Sequence, residues 1–267
     1  MKRKLLALDL DGTAVCDDYS MGELTKQAIK KARSLGHVVV FVSGRRDIDM
    51  LTLGNNQWIV DYHILNTGGK ILRCQDRSIF ANQLIPSEIC KKMITYCLAN
   101  DLQLQICDGL IWQVTKMTED TRSYAQDVGE MPTVIGSLEE TDWQKGIEGF
   151  TATSDWQGVA EYIDQNIPQV YYVNSEPGCI DIMAKGISKW KGIQNLAQQL
   201  DIQYEDIITV GNYYNDIGML EHSFLGIAVA NSLEPVKQIA DYVTERDNNH
   251  DVVAEIIAKM LNNEFDS

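Results

Sequence analysis

"KLLALDLDGTAVCDD", residues 4–18, is the stretch on which the reading of this chain turns. Leu5 to Leu10 has the composition of a buried strand, yet Asp9 interrupts it and Asp11 follows two positions later. A carboxylate buried without a partner is strongly unfavourable. A core strand that ends in two of them therefore needs something to complete them.

Outward from this strand, the first eighty residues alternate between strand and helix patterns. In "LTKQAIKKARSLGH" (24–37) Ala28, Ile29, Ala32 and Leu35 recur at helical spacing, with Thr25 expected as N-cap and Gly36 as the C-terminal stop. "HVVVFVSG" (37–44) is a β-branched run without alternation, which suits a parallel strand covered on both faces. "YHILNTGG" (62–69) predicts a third such strand. Strand, helix and strand in this order predict right-handed βαβ units and a doubly wound α/β sheet.

The middle of the chain has another rhythm. "PSEICKKMITYCLAND" (86–101) is helical, and "LQLQICDGLIWQVT" (102–115) alternates in period two around Asp108-Gly109, a hairpin signal. A weakly patterned stretch runs on to about Gly149. A strand (149–155), a helix (156–167) and two strands flanking Glu176-Pro177-Gly178 then predict an α+β module with an antiparallel sheet. From about Lys185 the α/β alternation returns, with helices over 188–200 and 214–223, strands over 206–212 and 224–231, and two closing helical patterns. The expected layout is a discontinuous core, 1–83 plus 184–267, with the module 84–183 inserted.

Composition narrows the function classes. Lys plus Arg number 23 against 38 Asp plus Glu, for a net charge of −15, which disfavours nucleic acid and anionic membranes as partners. The longest apolar runs are far short of a membrane span. MKRK leads straight into a strand without a signal peptide, and Cys16, Cys74, Cys90, Cys97, Cys107 and Cys179 form no CxxC pair. The expectation is a cytoplasmic protein with free thiols and no zinc site, a monomer or weak homodimer. His37, His63, His222 and His250 lack metal-ligand spacing. The five tryptophans, Trp58, Trp112, Trp143, Trp156 and Trp190, read as packing.

Four polar clusters fall where buried strands end or the following helices begin: Asp9 with Asp11, Ser43-Gly44-Arg45, Ser188-Lys189, and Asn215-Asp216. In open α/β sheets ligands bind at the carboxyl ends of the strands, so these clusters are expected to converge. On extended backbone Asp9 and Asp11 would point the same way, and Asp216 would make a third carboxylate. Like charges so close call for a cation, and oxygen ligands suit Mg²⁺.

"DLDGT" (9–13), "VSGR" (42–45), "GISKWKGI" (186–193) and "GNYYNDIGML" (211–220) resemble, in order, the four motifs of the haloacid dehalogenase superfamily. The inserted module resembles the cap of its Cof-like branch, as do residues 227–244 and the segment leading into 250–261. The resemblance implies a Rossmann-like core with an α+β cap and a Mg²⁺-dependent phosphatase acting on small phosphorylated metabolites, sugar phosphates or flavin mononucleotide-like compounds. By the same resemblance Asp9 is the nucleophile and Asp11 the acid and base. The metal falls to Asp9, Asp11 through its carbonyl, and Asp216. Ser43, the Gly44 amide and Lys189 receive the phosphate, while Asn215 orients the site from behind. A phosphomutase on the same scaffold, a phosphate-binding regulator without turnover and a receiver-like phosphoacceptor are the alternatives. Two positions depart from the family pattern. Asn212 stands where an Asp is usual beside the metal, and Thr67 stands where Asn often precedes the glycine, a position expected on the rim.

Overall fold

The computed structural model describes residues 2–140, 145–176 and 178–265. The chain begins with β1 (Leu5–Leu8), α1 (Glu23–Ser34), β2 (Val38–Val42), β3 (Tyr62–Leu65), β4 (Lys70–Arg73) and β5 (Ser78–Asn82). It continues through α2 (Ser87–Ala99), β6 (Gln105–Asp108), β7 (Ile111–Val114), α3 (Glu119–Val128), β8 (Thr133–Val134), β9 (Gly149–Ala152), α4 (Trp156–Asn166), β10 (Val170–Glu176) and β11 (Cys179–Ala184). The last third is α5 (Lys189–Gln199), β12 (Ile207–Gly211), α6 (Ile217–His222), β13 (Leu225–Ala228), α7 (Glu234–Ile239), β14 (Tyr242–Val243) and α8 (Val252–Leu261). Contacts divide the chain into two units. One holds the residues up to Ser43, Leu53–Ala81 and everything from Ser188 on; the other holds Gly44–Thr52 and Asn82–Ile187.

The first unit carries an eight-stranded sheet in the order β14-β13-β12-β1-β2-β3-β4-β5, parallel from β14 to β3. β4 turns back antiparallel on β3. The absence of alternation in β1 and β2 has its reason here: all nine of their side chains are buried. Leu5, Ala7, Val38, Val40 and Val42 pack with Ile193, Leu196 and Ala197 of α5, and the intervening Leu6, Leu8, Val39 and Phe41 are covered on the opposite face. Each buried Leu, Val, Ile or Phe among them contributes roughly 2 kcal/mol by leaving water. The sheet grows outward from β1 in both directions, so its topological switch point lies where β1 meets β12 and β2.

α1 starts two residues before the expected N-cap. Thr25 lies inside it, and its N–H donates to Oδ1 of Asp251 at 2.9 Å, so a carboxylate far along the chain satisfies a first-turn amide. Gly36 does end the helix, at φ +89°, with the His37 N–H returning to the Ala32 carbonyl.

The second unit holds a six-stranded sheet, β10-β11-β9-β6-β7-β8, antiparallel except for the β7–β8 pair. The period-two pattern places Ile106 with α2, α4 and β11 in one apolar cluster and Cys107 with Trp112, Ala125 and Ile48 in another. The hairpin loop is Gly109-Leu110 rather than Asp108-Gly109, because Asp108 still pairs with Ile111 and Gly109 takes φ +59°. α3 lies within the stretch that is weakly patterned in sequence. Its buried positions are Thr121, Ala125 and Val128, small residues at helical spacing, with Thr118 as N-cap and Gly129 ending it at φ +81°. Beneath α3, Arg46 and Asp49 form a buried bidentate pair, Nε–Oδ2 and Nη2–Oδ1 both 2.7 Å, and the Tyr124 hydroxyl donates to Asp49 at 2.9 Å. Trp143 and Pro177, both named from sequence, lie outside the described residues. None of the six cysteines is in a disulfide. Among the described residues no helix is long and apolar enough to cross a membrane.

His63 on β3 carries a testable consequence. It is 1% exposed, stacked between Phe41 and Trp58, and its Nε2–H donates to the Gln57 carbonyl at 2.6 Å. Burial depresses its pKa to about 4. Below the unfolded value of about 6.5 the unfolded chain binds a proton that the folded chain refuses. The stability contribution is therefore complete above that value and is lost as pH falls. Between pH 7 and pH 5 this linkage is expected to cost about 2 kcal/mol. Denaturant midpoints at the two pH values for wild type and His63→Phe check it: the buried Asp9 carboxyl shifts stability in the opposite direction over this window, so the His63 share is the difference between the pH dependences of the two proteins.

Candidate active site

β1 delivers Asp9 to the switch point still within the sheet ladder, its N–H donating to the Val210 carbonyl at 2.9 Å. The chain then leaves extended geometry. Asp11 (φ −74°, ψ 118°) and Gly12 (φ 69°, ψ 13°) adopt the central dihedrals of a type II turn, which calls for glycine at its third position. The two carboxylates differ in exposure, Asp9 at 5% and Asp11 on the surface, although the Asp11 charge still bears on Asp9.

β12 ends at Gly211, and the next turn folds Asp216 back beneath it. A Cβ on Gly211 would meet the Asp216 carboxyl carbon at 2.6 Å, so only glycine admits this approach. Oδ2 of Asp216 accepts from the N–H groups of Asn212 (2.9 Å) and Tyr213 (3.0 Å), and its side chain is completely buried. Lys189 opens α5, where Ser188 caps the helix by accepting from the Lys191 N–H. Its Nζ donates to Oδ1 of Asp9 and Oδ1 of Asp216, each at 2.6 Å. Three segments up to about two hundred residues apart in sequence thus converge on one ammonium.

The electrostatics follow from that burial. Loss of solvent, and next the Asp216 charge, raise the pKa of Asp9 to about 7 against the pull of Lys189. The two carboxylates hold the Lys189 ammonium protonated, well above its usual range, despite its burial. Two carboxylates and one ammonium leave a formal charge of −1 with little water to screen it.

Ser43 follows β2 directly, buried at 2% exposure, and its carbonyl accepts from the Thr67 N–H at 3.0 Å. Gly44 follows it and belongs by contacts to the second unit. Thr67 is not on the rim: it is 4% exposed and sits at φ +56°, a left-handed conformation that is strained for a β-branched residue. Asn in its place would tolerate that conformation better. Gly68 lets this turn approach α5, since a Cβ there would lie 2.1 Å from the Ser188 carbonyl oxygen. Asn215 is half-buried in the turn before α6. Asn231, absent from the sequence-derived set, donates from Nδ2 to the Gly12 carbonyl at 2.8 Å. Like Asp9 and Ser43, it is a polar residue just beyond a buried strand.

The donor set suits a magnesium ion. Among the described residues no three His, Cys, Asp or Glu side chains gather, so the expected trio of carboxylates reduces to Asp9 and Asp216. Asn212 adds a buried Oδ1 without a hydrogen-bond donor. These are hard oxygen donors, few in number, beside uncompensated negative charge. Mg²⁺ is held by such sparse sets, completing its shell with water and substrate oxygens.

The family model for haloacid dehalogenase-like hydrolases matches residues 6–257 of this chain. The chain belongs to that family. Among its relatives is the 5-amino-6-(5-phospho-D-ribitylamino)uracil phosphatase YcsE of Bacillus subtilis, 26% identical over 261 residues, 95% of this chain and 94% of that protein. A haloacid dehalogenase-like hydrolase of Bacteroides thetaiotaomicron superposes with a TM-score of 0.86 at 23% identity, covering 97% of this chain and all of the other. The subclass IIB sugar phosphatase BT4131 superposes at 0.80 with 24% identity, covering 96% and 98%. The Rossmann-like core with an inserted module is therefore the fold of this family, as the four ordered motifs imply.

Proposed function

We propose that this phosphoric monoester hydrolase releases phosphate from small phosphorylated metabolites, in two steps through an aspartyl-phosphate on Asp9. The observation that carries the reading is the Lys189 ammonium 2.6 Å from both Asp9 and Asp216, a preformed cationic contact at the end of β1. In the first step an Asp9 oxygen bonds to phosphorus as the ester P–O bond breaks, and Asp11 gives its proton to the departing oxygen. In the second, Asp11 takes a proton from a water whose oxygen attacks phosphorus, releasing inorganic phosphate and regenerating the Asp9 carboxylate. Ser43, the Gly44 N–H and Lys189 hold the phosphoryl oxygens, and Asn215 orients the site from behind. Mg²⁺, held by Asp9, Asp216 and the Asp11 carbonyl, would offset the charge that keeps a phosphate dianion from two carboxylates.

Substrate choice falls to the module 84–183. Within the second unit a cavity of about 380 Å³, lined by Ile48, Leu51, Trp112, Gln113 and Glu130 among others, has the size of a small-metabolite site. YcsE is named for a substrate with a phosphorylated polyol chain, which supports sugar-like phosphates as the first compounds to assay. Incubation with p-nitrophenyl phosphate and Mg²⁺ should release many equivalents of phosphate per protein, and a phosphate-release panel should then rank metabolites. A single equivalent would sink the hydrolase reading in favour of a phosphoacceptor. Activity appearing only with a bisphosphate activator would point to a mutase.

Position 212 tests the metal assignment. The Asn212 N–H is already tied to Asp216, and its Oδ1 lacks a donor. A carboxylate there would add attraction for the ion, roughly 4 kcal/mol per unit of ion charge at a separation of about 4 Å before screening. Asn212→Asp is expected to lower the Mg²⁺ concentration for half-maximal activity several-fold, with little gain in limiting rate. An unchanged or higher requirement in a Mg²⁺ titration would show that position 212 does not face the metal.

A further inference from the structure

The polar run "ERDNNHD" (245–251) has no assigned part in the chemistry above, yet it grips the turn that bears Asp11. The grip passes through Asn231. Its Nδ2 donates to the Gly12 carbonyl at 2.8 Å, while its Oδ1 accepts from the Asn248 N–H at 3.3 Å. Asn248, 5% exposed, donates from Nδ2 to the Val15 carbonyl at 3.1 Å and to Oδ1 of Asp17 at 2.8 Å. Asn249 holds the other Asp17 oxygen at 3.0 Å. Residues 12–17 are thus held at both ends by two loops more than two hundred residues downstream.

The turn needs such an anchor. A type II turn and a type I turn differ chiefly by a flip of the central peptide, here that of Asp11 and Gly12. Glycine permits the observed form but also leaves the peptide free to flip. The Asp11 side chain is on the surface, so core packing does not fix its direction. A bond to the Gly12 carbonyl, on the far side of the flipping peptide, favours one orientation.

We propose that Asn231, braced by Asn248, is a positioning residue that aims the Asp11 carboxyl at the leaving-group oxygen. The inference rests on the phosphatase reading, and specifically on Asp11 as proton donor. Only an amide serves at 231, because one arm must donate to a carbonyl while the other accepts from an N–H. Asn231→Asp keeps the size and the accepting arm and turns the donor into an acceptor facing the Gly12 oxygen.

The test compares two substrates of similar shape and different leaving groups. p-Nitrophenolate departs without a proton; phenolate from phenyl phosphate is more basic and benefits from one. The readout is kcat/KM, which ends at the first P–O cleavage and is blind to the second step. Asn231→Asp and Asn231→Ala are expected to lower kcat/KM for phenyl phosphate about tenfold, part of the roughly 10²–10⁴-fold typical of general acid catalysis, and to leave p-nitrophenyl phosphate within about twofold. Asp11→Asn serves as reference and should show the same asymmetry more strongly. Equal losses on both substrates, or none on either, would overturn the positioning role, and a thermal melt identifies the purely structural case. Should Asp11→Asn itself lack the asymmetry, the proton-donor reading fails first and takes this inference with it.

Discussion

Asp9→Asn is expected to reduce turnover more than a hundredfold while leaving the protein at least as stable as the wild type. The loss follows from chemistry: an amide oxygen is a poor nucleophile toward phosphorus, and no covalent intermediate forms. The stability follows from the charges. Asp9 and Asp216 both lean on one ammonium, and burial already pushes the Asp9 carboxyl up to about 7. Replacing one carboxylate by an amide leaves a balanced pair, Lys189 with Asp216, and removes a charge the folded state holds at a cost. Steady-state rates and thermal melts measured together decide the matter. Residual activity above about a hundredth would remove Asp9 from the nucleophile's role, and a marked fall in melting temperature would mean that its charge is stabilising after all.

Lys189→Met should fail in the opposite way, losing stability and activity together. The methionine fills similar space without charge, so two carboxylates, one fully buried, are left facing each other with no cation between them. Breaking a buried pair by removing one partner typically costs about 3–5 kcal/mol. Loss of a donor to transferring phosphoryl oxygens typically costs about 10²–10³-fold in rate. Because the two defects share one cause, the double variant with Asp9→Asn should recover most of the stability and none of the activity. Denaturant midpoints for the four proteins of this cycle give the coupling directly. Additive losses would show that Lys189 and Asp9 do not interact in solution.

Much of this was legible in the sequence because strong local signals and distant contacts agreed. β1, β2 and β12 are short unbroken apolar runs, and the polar residues that follow them mark where the strands end. What sequence did not show falls into three physical kinds. α3 buries Thr121, Ala125 and Val128, whose modest hydrophobicity gives little periodicity to detect. Asp11 is exposed while Asp9 is buried, because the backbone after Asp9 departs from the extended geometry that spacing alone assumes. The caps and clamps by Asp251, Asn231 and Asn248 are long-range: Asp251 satisfies an amide 226 residues earlier, and no window of sequence contains both partners. For the same reason the contacts of Arg46 with Gln105 on β6 and of Asp49 with Tyr124 on α3, all within the second unit, had no local sign.

The pairing of β1 with β12 also fixes an order of events during synthesis. Leu5 lies beside Ile207, so one edge of the central strand has no partner until about two hundred further residues have been made. At about 5–20 residues per second, that wait is roughly 10–40 s. For that interval an apolar strand, "LLAL", can pair with β2 on one side only, its other edge open to any strand that meets it. Asp9 at its end waits as long for its partners, Lys189 following it by 180 residues and Asp216 later still.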